Sequence, residues 1–504
     1  MKGAFRQSMG WVHIWAGLVA GWVSFFIFLT GTAGYFDTEI DRWMQPERPL
    51  PQAAVPMEAA VAMGLRRLMA EAPNAERWFM GLPGHRAPEL TLIWRTPSGA
   101  DGASGRVDLD PVTGEPVRRR ATGGGQLLYQ MHYDLHYLPA RTANWIVGVC
   151  TMLMLVAIVT GVIVHKRFFR DFFTFRSGAG QRAWLDAHNV LGVLALPFHL
   201  MIAYSGLIFF AYLYMAPVIA ASYGVQPDAR DTYFNELSGR DRIVARAGNP
   251  ATLAPLGPVL RRAENAIENG ALLFINLYNP GDANARIVVT GGAPTPTLAR
   301  TSMEFDGVTG DLLRTSAQRS APFAAYQTLL GLHEGLFAGP VLRWLYFLSG
   351  LMGTAMIGAG LVLWTAKRRA RIGDTFGFRL VERLNIGTIM GLPVAVAAYF
   401  WANRLIPVGI EGRAAWEAHA MFIVWAAMLL HAFVRPARRG WVEQMWIAAG
   451  TFGLLPVLNA LTTDRHLGVT LPAAMWELAG FDLTMLVMGA AFAFTAWMAG
   501  RAPA

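Results

Sequence analysis

Four histidines recur in matched positions along the chain. His13 precedes Thr30-Gly31 at the same spacing as His188 precedes Ser205-Gly206. His132 closes the run Leu-Tyr-Gln-Met-His ahead of Trp145, and His333 closes Thr-Leu-Leu-Gly-Leu-His ahead of Trp344. A neutral imidazole can give one ring nitrogen to a metal while a hydrogen bond holds the other. In a two-fold pseudosymmetric bundle, equivalent residues can face each other across the axis. A planar cofactor on that axis would take one imidazole from each side, as haem iron takes its axial ligands in the cores of helix bundles. One such site near each face of a membrane would make an electron route across it. His199 follows His188 on the same apolar run. On a continuous helix that offset is about 16 Å of rise and about 20° of rotation, so two stacked cofactors could share one face. His136, one turn after His132, and His165 are further candidates. Taken singly, a histidine near a span end is also an ordinary interfacial residue or helix cap. A gene duplication copies structural residues as faithfully as ligands. His199 is the hardest to read that way, because polar groups in hydrocarbon are costly and usually functional. His419 and His431 lie outside the repeat and read as structural or lipid-edge residues. His85 and His466 have no pattern around them.

The elements that must position these side chains are apolar. Of 504 residues, 54% are hydrophobic and 15% charged, against roughly 25% charged in soluble domains. Long apolar runs extend over Gly10–Phe36, Trp145–Val164, Val190–Ala216, Leu342–Ala366, Leu384–Ala402, Ala414–Val434, Trp441–Leu461 and Leu483–Met498. At roughly 20 residues per bilayer crossing, these make about eight spans. The first run is too long for a signal-peptide core of roughly 7–15 residues and reads as an uncleaved span. The single cysteine, Cys150, lies inside a span. A disulfide framework, a cysteine-based zinc site and cysteine-ligated iron–sulfur clusters are thereby excluded. The net charge of +9 belongs to topology rather than to nucleic acid. Lys2 and Arg6, then Lys166, Arg167, Arg170, Arg176 and Arg182, then Lys367 to Arg383, then Arg435, Arg438 and Arg439, and finally Arg501 cluster at alternate span ends. Short basic loops stay in the cytoplasm, so both termini are predicted inside and the two long polar segments outside.

Those two segments share a pattern. Arg106-Val-Asp-Leu-Asp-Pro-Val-Thr-Gly-Glu115 matches Ser302-Met-Glu-Phe-Asp-Gly-Val-Thr-Gly-Asp311, with Asp110 on Asp306. Alternation before an Asp-x-x-x-Gly turn predicts a strand and a tight turn. Helical patterns precede each, at Met57–Glu71 and Val259–Glu268. Thr160-Gly161 and Ala359-Gly360 close the return spans. The unit span–module–span therefore occurs twice, as parallel repeats about an axis along the membrane normal. The predicted fold is an all-α polytopic membrane protein of about eight transmembrane helices with two small α+β extramembrane modules. Its parts are span one (8–36), the first module (37–141), span two (142–166), span three (184–216), the second module (217–340), span four (341–367) and a four-span extension (382–499).

The Asp-Pro-Val-Thr-Gly-Glu and Asp-Gly-Val-Thr-Gly-Asp turns resemble PepSY modules. His13-x-x-x-Gly17 with Thr30-Gly31, and His188-Asn189-x-x-Gly192 with Ser205-Gly206, resemble the PepSY-associated transmembrane helix family. The resemblance covers about residues 8 to 370, and the run from His165 through His188-Asn189 to Pro197-Phe198-His199 is typical of longer members. It implies an inner-membrane, bis-histidine dihaem protein that reduces ferric siderophores in the periplasm. By position it implies two haems b, with His13, His132, His188 and His333 as iron ligands and His199 next. The extra spans and His136, His165 and His199 depart from shorter members, which leaves the pairing open.

The expected function is therefore transmembrane electron transfer, from a separate cytoplasmic reductase or quinol to a periplasmic ferric chelate. No Gly-x-Gly-x-x-Gly fingerprint marks a nucleotide site of its own, and Gly123-Gly124-Gly125 lacks the strand and the Lys-Ser/Thr of a phosphate loop. Arg118-Arg119-Arg120 could attract an anionic chelate, although a solvated charge run is the better reading of it. Two rivals differ in class. A small-solute transporter would need intramembrane acidic residues or broken helices along a pathway, and the spans read as nearly free of acidic residues. A non-catalytic PepSY regulator of a periplasmic partner would need no ladder of histidines.

Overall fold

The computed structural model describes residues 2–49, 55–84, 86–96, 104–165, 180–226, 228–238, 244–267, 270–298, 300–316 and 321–501. Lys166, Arg167, Arg170, Arg176 and His85 lie outside the described residues. The chain divides into two compact units. One comprises Met1–Pro46, Arg120–Phe210 and Gly339–Ala504, the other Glu47–Arg119 and Ala211–Ala338.

The first unit is a helical bundle. Among the described residues, seven helical segments are long and apolar enough to cross a membrane: Ala4–Gly34, Ala140–Val164, Pro340–Ile372, Phe376–Leu405, Arg413–Val434, Ala437–Thr462 and Trp476–Arg501. A further pair, Gln181–Leu194 and Leu196–Phe209, is long and apolar enough to cross when taken together, and is bent by 71° at its break. In chain order the broken pair is span three. Its break falls at Ala195, with Pro197 in the first turn beyond it. Proline supplies no N–H to the preceding turn and its ring crowds the carbonyl four residues back, which accounts for the kink. Span seven has the same device, a break at Leu454 before Pro456. Small residues let the helices close up. A Cβ on Gly21 of span one would come 2.6 Å from Leu361 Cδ2 of span four, and one on Gly353 of span four would come 2.6 Å from Phe28 Cε1 of span one.

The second unit is built from both outer segments. Its strands are β1 (Arg77–Gly81), β2 (Leu90–Arg95), β3 (Gly105–Leu109), β4 (Ala271–Tyr278), β5 (Arg286–Gly292), β6 (Thr301–Asp306) and β7 (Leu312–Thr315). They form a single antiparallel sheet in the order β3-β2-β1-β4-β5-β6-β7. The two modules are therefore halves of one sheet, joined where β1 pairs β4, with Arg77 opposite Tyr278 and Gly81 opposite Phe274. Each of these strands would otherwise present an open edge of unpaired N–H and C=O groups, and pairing like with like removes both edges. Trp78, Met80, Leu90, Leu92, Ile275, Leu277, Ile287, Val289, Met303 and Phe305 are buried on one face. They pack with Val61 and Leu68 of the Met57–Glu71 helix and Val259, Leu260 and Ala263 of the Leu256–Ala266 helix.

The repeated turns are built alike. Asp110 Oδ1 accepts from the Val112 N–H at 2.8 Å, and Asp306 Oδ1 accepts from the Val308 N–H at 2.9 Å. Gly114 and Gly310 both sit at φ +77°, where a side chain is strained. Next to the first turn, burial pushes the Asp108 carboxyl up, but the Thr91 hydroxyl, Arg119 and Arg106 outweigh it and hold it below its ordinary 3.8. Its stabilisation is therefore complete above about pH 4 and is lost as the pH falls through the lower folded value. Thermal unfolding of the Asp108→Asn protein should be less sensitive to acid below that pH than the parent. Equal acid sensitivity in both would remove Asp108 as a source of it.

Candidate functional site

His13 on span one and His188 on span three meet in the bundle, their ring centres 6.1 Å apart and their planes at 73°. Each is held from behind in the same way. His13 Nδ1 lies 2.8 Å from the Ala157 carbonyl of span two, and His188 Nδ1 lies 2.8 Å from the Met356 carbonyl of span four. A carbonyl only accepts, so both Nδ1 atoms carry the proton and both Nε2 atoms keep their lone pairs. This is the tautomer a metal-ligating histidine needs, fixed by its outer hydrogen bond. Each ring rests on a glycine one turn beyond its carbonyl. A Cβ on Gly161 would lie 3.2 Å from His13 Cε1, and one on Gly360 would lie 3.1 Å from His188 Cε1. The Thr-Gly and Ala-Gly pairs noted in the sequence are thus the seats of the two imidazoles.

The spacing suits a metal between the rings. An ion bound in line by two imidazoles at about 2.0–2.1 Å holds their ring centres about 6 Å apart. Among the described residues, no group of three or more His, Cys, Asp or Glu side chains is placed to hold a metal ion. Two imidazoles alone do not complete a metal's coordination, but they do complete that of an iron whose other four ligands come from a macrocycle.

The other histidines divide. His165, at the end of span two, has its Nε2 2.7 Å from the Asn189 amide nitrogen, which makes it a neighbour of the pair with that nitrogen engaged. His199 is 1% exposed. Its Nε2 lies 3.2 Å from the Ser349 carbonyl, and its Nδ1 has no hydrogen-bond partner among the described residues. The straight helix assumed between His188 and His199 is not present, because span three bends by 71° at Ala195. The ladder instead follows span four, where the two histidines bond to Met356 and Ser349, about 10 Å apart along the axis.

His132 lies in the bundle on the Gly124–Asp134 helix. Its Nδ1 bonds to the Tyr129 carbonyl, and a Cβ on Gly31 would come 3.5 Å from its Cγ, so the Thr30-Gly31 pair seats this ring. His333, on the Ala321–Glu334 helix, falls in the second unit. The structure therefore brings His13 and His188 together and places His132 and His333 in separate bodies. His136, in a left-handed conformation at φ +51°, stacks on Phe422 with centres 5.6 Å apart. His419 bonds to the Tyr137 hydroxyl, His431 lies 2.9 Å from Glu443, and His466 caps a short helix.

The few acidic residues of the spans include two that are fully buried, Glu417 of span six and Asp482 of span eight. Each is paired in place. Glu417 meets Arg413 and Asn403, while Asp482 accepts from the Trp43 indole at 2.9 Å and from Asn459 at 2.9 Å. Polar letters inside otherwise apolar runs were the available signal.

The family described as the PepSY-associated TM region matches residues 10–367. An uncharacterised protein of Pseudomonas aeruginosa is 29% identical over 397 residues, covering 75% of this chain and 95% of that protein.

Proposed function

The chain belongs to the PepSY-associated TM family and is a multi-pass membrane protein, and on that premise we propose that it carries haem and passes electrons across the inner membrane to a periplasmic ferric chelate such as a siderophore. The observation that carries this reading is the His13–His188 pair, two half-buried imidazoles anchored alike with ring centres 6.1 Å apart. His13 and His188 would hold one haem b; His132, His333 and His199 are the candidates for a second. Bound haem supplies one-electron chemistry.

The protein's own share is positioning. The Ala157 and Met356 carbonyls fix the two rings before any ligand arrives. The apolar helices around the rings set the local dielectric, a lever on potential. The chelated ferric ion is the substrate. It is held tightly by hard oxygen donors, and one electron weakens those bonds. The donor is a separate reductase or a quinol.

Protein in sealed vesicles with reductant trapped inside and a ferric hydroxamate outside should release ferrous iron to an external chromogenic chelator. His188→Ala should fall to the rate of protein-free vesicles. Equal rates for both proteins would remove the pair from the electron route.

The direction of transfer depends on topology. Reporter fusions after Arg182 and Arg371 should behave as cytoplasmic, and fusions near Gly105 and Gly292 as external. A reversal at any of these sites would break the two-repeat arrangement.

A further inference from the structure

The run Gly123-Gly124-Gly125 has a packing role at the start of the helix that carries His132. A Cβ on Gly125 would collide with the backbone of Asp37, and one on Gly124, at φ +60°, with the Asp41 carboxylate. A Cβ on Gly123 would come 2.7 Å from the Tyr399 hydroxyl. Only glycine permits this close approach.

The groups that crowd the glycines also bond to them. The Gly125 N–H donates to Asp41 Oδ1 at 2.8 Å, and the Gly123 N–H to Glu417 Oε2 at 3.2 Å. The Thr122 hydroxyl donates to the same Glu417 carboxylate. Tyr399 donates to the Gly124 carbonyl at 2.9 Å, and Arg413 to the Ala121 carbonyl at 2.7 Å. Asn403 donates to Glu417 Oε1 at 2.7 Å, and Arg413 closes the network on Glu417. Two carboxylates at a helix N-terminus also suit its dipole. At the far end of the helix, the connector residues His136 and Tyr137 meet Phe422 and His419 of span six.

Apart from Asp41 and Thr122, every side chain in this grip lies beyond residue 367, where the family match ends. Asn403, Arg413 and Glu417 are all fully buried. A block serving only as an anchor would be as stable with apolar residues there, since replacing a buried ion pair by well-packed hydrophobic groups is often neutral or stabilising. What the network adds is one defined placement. We infer that the four C-terminal spans are a positioning block for the Gly124–Asp134 helix, with Glu417 and Tyr399 as positioning residues for His132. The role of His132 as an iron ligand rests on the reading above; the grip on the helix does not.

The test uses the full-length protein in nanodiscs, with Glu417→Gln and the milder Tyr399→Phe. Hydrogen–deuterium exchange is followed in peptides covering 126–134, with span four as internal reference. The inference expects exchange in 126–134 to rise by about tenfold or more while the reference stays unchanged. It also expects the optical spectrum of one haem to shift while the other keeps its parent bands. Unchanged exchange in 126–134, or an equal rise across the whole bundle, would overturn the positioning block. Faster local exchange with both haem spectra unaltered would keep the grip and remove His132 from the cofactor. A parent protein without haem would sink the electron-transfer reading, and the exchange data would still decide the grip.

Discussion

The His188→Ala protein is expected to lose one haem outright, its haem-to-protein ratio falling from near two to near one. His188 contributes one of two imidazoles whose centres stand 6.1 Å apart. With it gone, His13 alone would be left to hold the group, and one imidazole would not be enough to retain it. His13→Ala should give the same loss, because both rings are anchored by the same kind of carbonyl bond. The remaining haem should keep its parent spectrum, since the other candidate ligands His132, His199 and His333 are untouched. The measurement is a pyridine haemochrome assay with a reduced-minus-oxidised spectrum on purified variants. Retention of both haems in either variant would contradict the assignment of this pair. His199→Ala then separates the remaining options. Loss of a haem there would give the second site to the nitrogen of His199 that has no hydrogen-bond partner among the described residues.

The second large effect comes from residues that touch no iron. Gly161→Val and Gly360→Val should each strip most of the haem held by His13 and His188. An added Cβ alone would stand 3.1–3.2 Å from a ring carbon, and the γ-methyls of valine extend the intrusion. The ring can yield only by leaving its carbonyl partner or by moving toward the opposite imidazole. Outer supports of metal ligands typically cost about 10–100-fold in affinity when altered, and a similar loss is expected here. Gly450→Ala is the control, because an added Cβ there meets nothing within 4 Å and the position lies on span seven, away from both rings. Titration of haem into the stripped proteins gives the affinities. Parent-like binding in both valine variants would show that the glycines do not seat the rings.

Much of this was legible because the chain repeats itself. The paired spacings around His13 and His188, and the two Asp-x-x-x-Gly turns, mark equivalent points without any structure. The turn geometry then follows from local chemistry at Asp110 and Asp306. What failed was the step that assumed a straight helix. The offset of His188 and His199 gives a shared face only on continuous α-helix, and Pro197 breaks it. That proline stood in the sequence as a signal. The joining of β1 to β4 was hidden for a different reason. Alternation identifies strands, but it does not say which edges meet across a long separation. The grip on the Gly124–Asp134 helix was the least visible feature. Asp41, Thr122, Tyr399, Asn403, Arg413 and Glu417 are scattered through the chain, and only folding gathers them.

Whether this membrane protein holds haem is decided by the haem content of the purified, haem-replete chain. About two haems b per chain are expected, extracted without covalent attachment because no Cys-x-x-Cys-His motif is present, and fully reducible in the difference spectrum. A folded protein with a ratio near zero after haem supplementation would contradict this expectation.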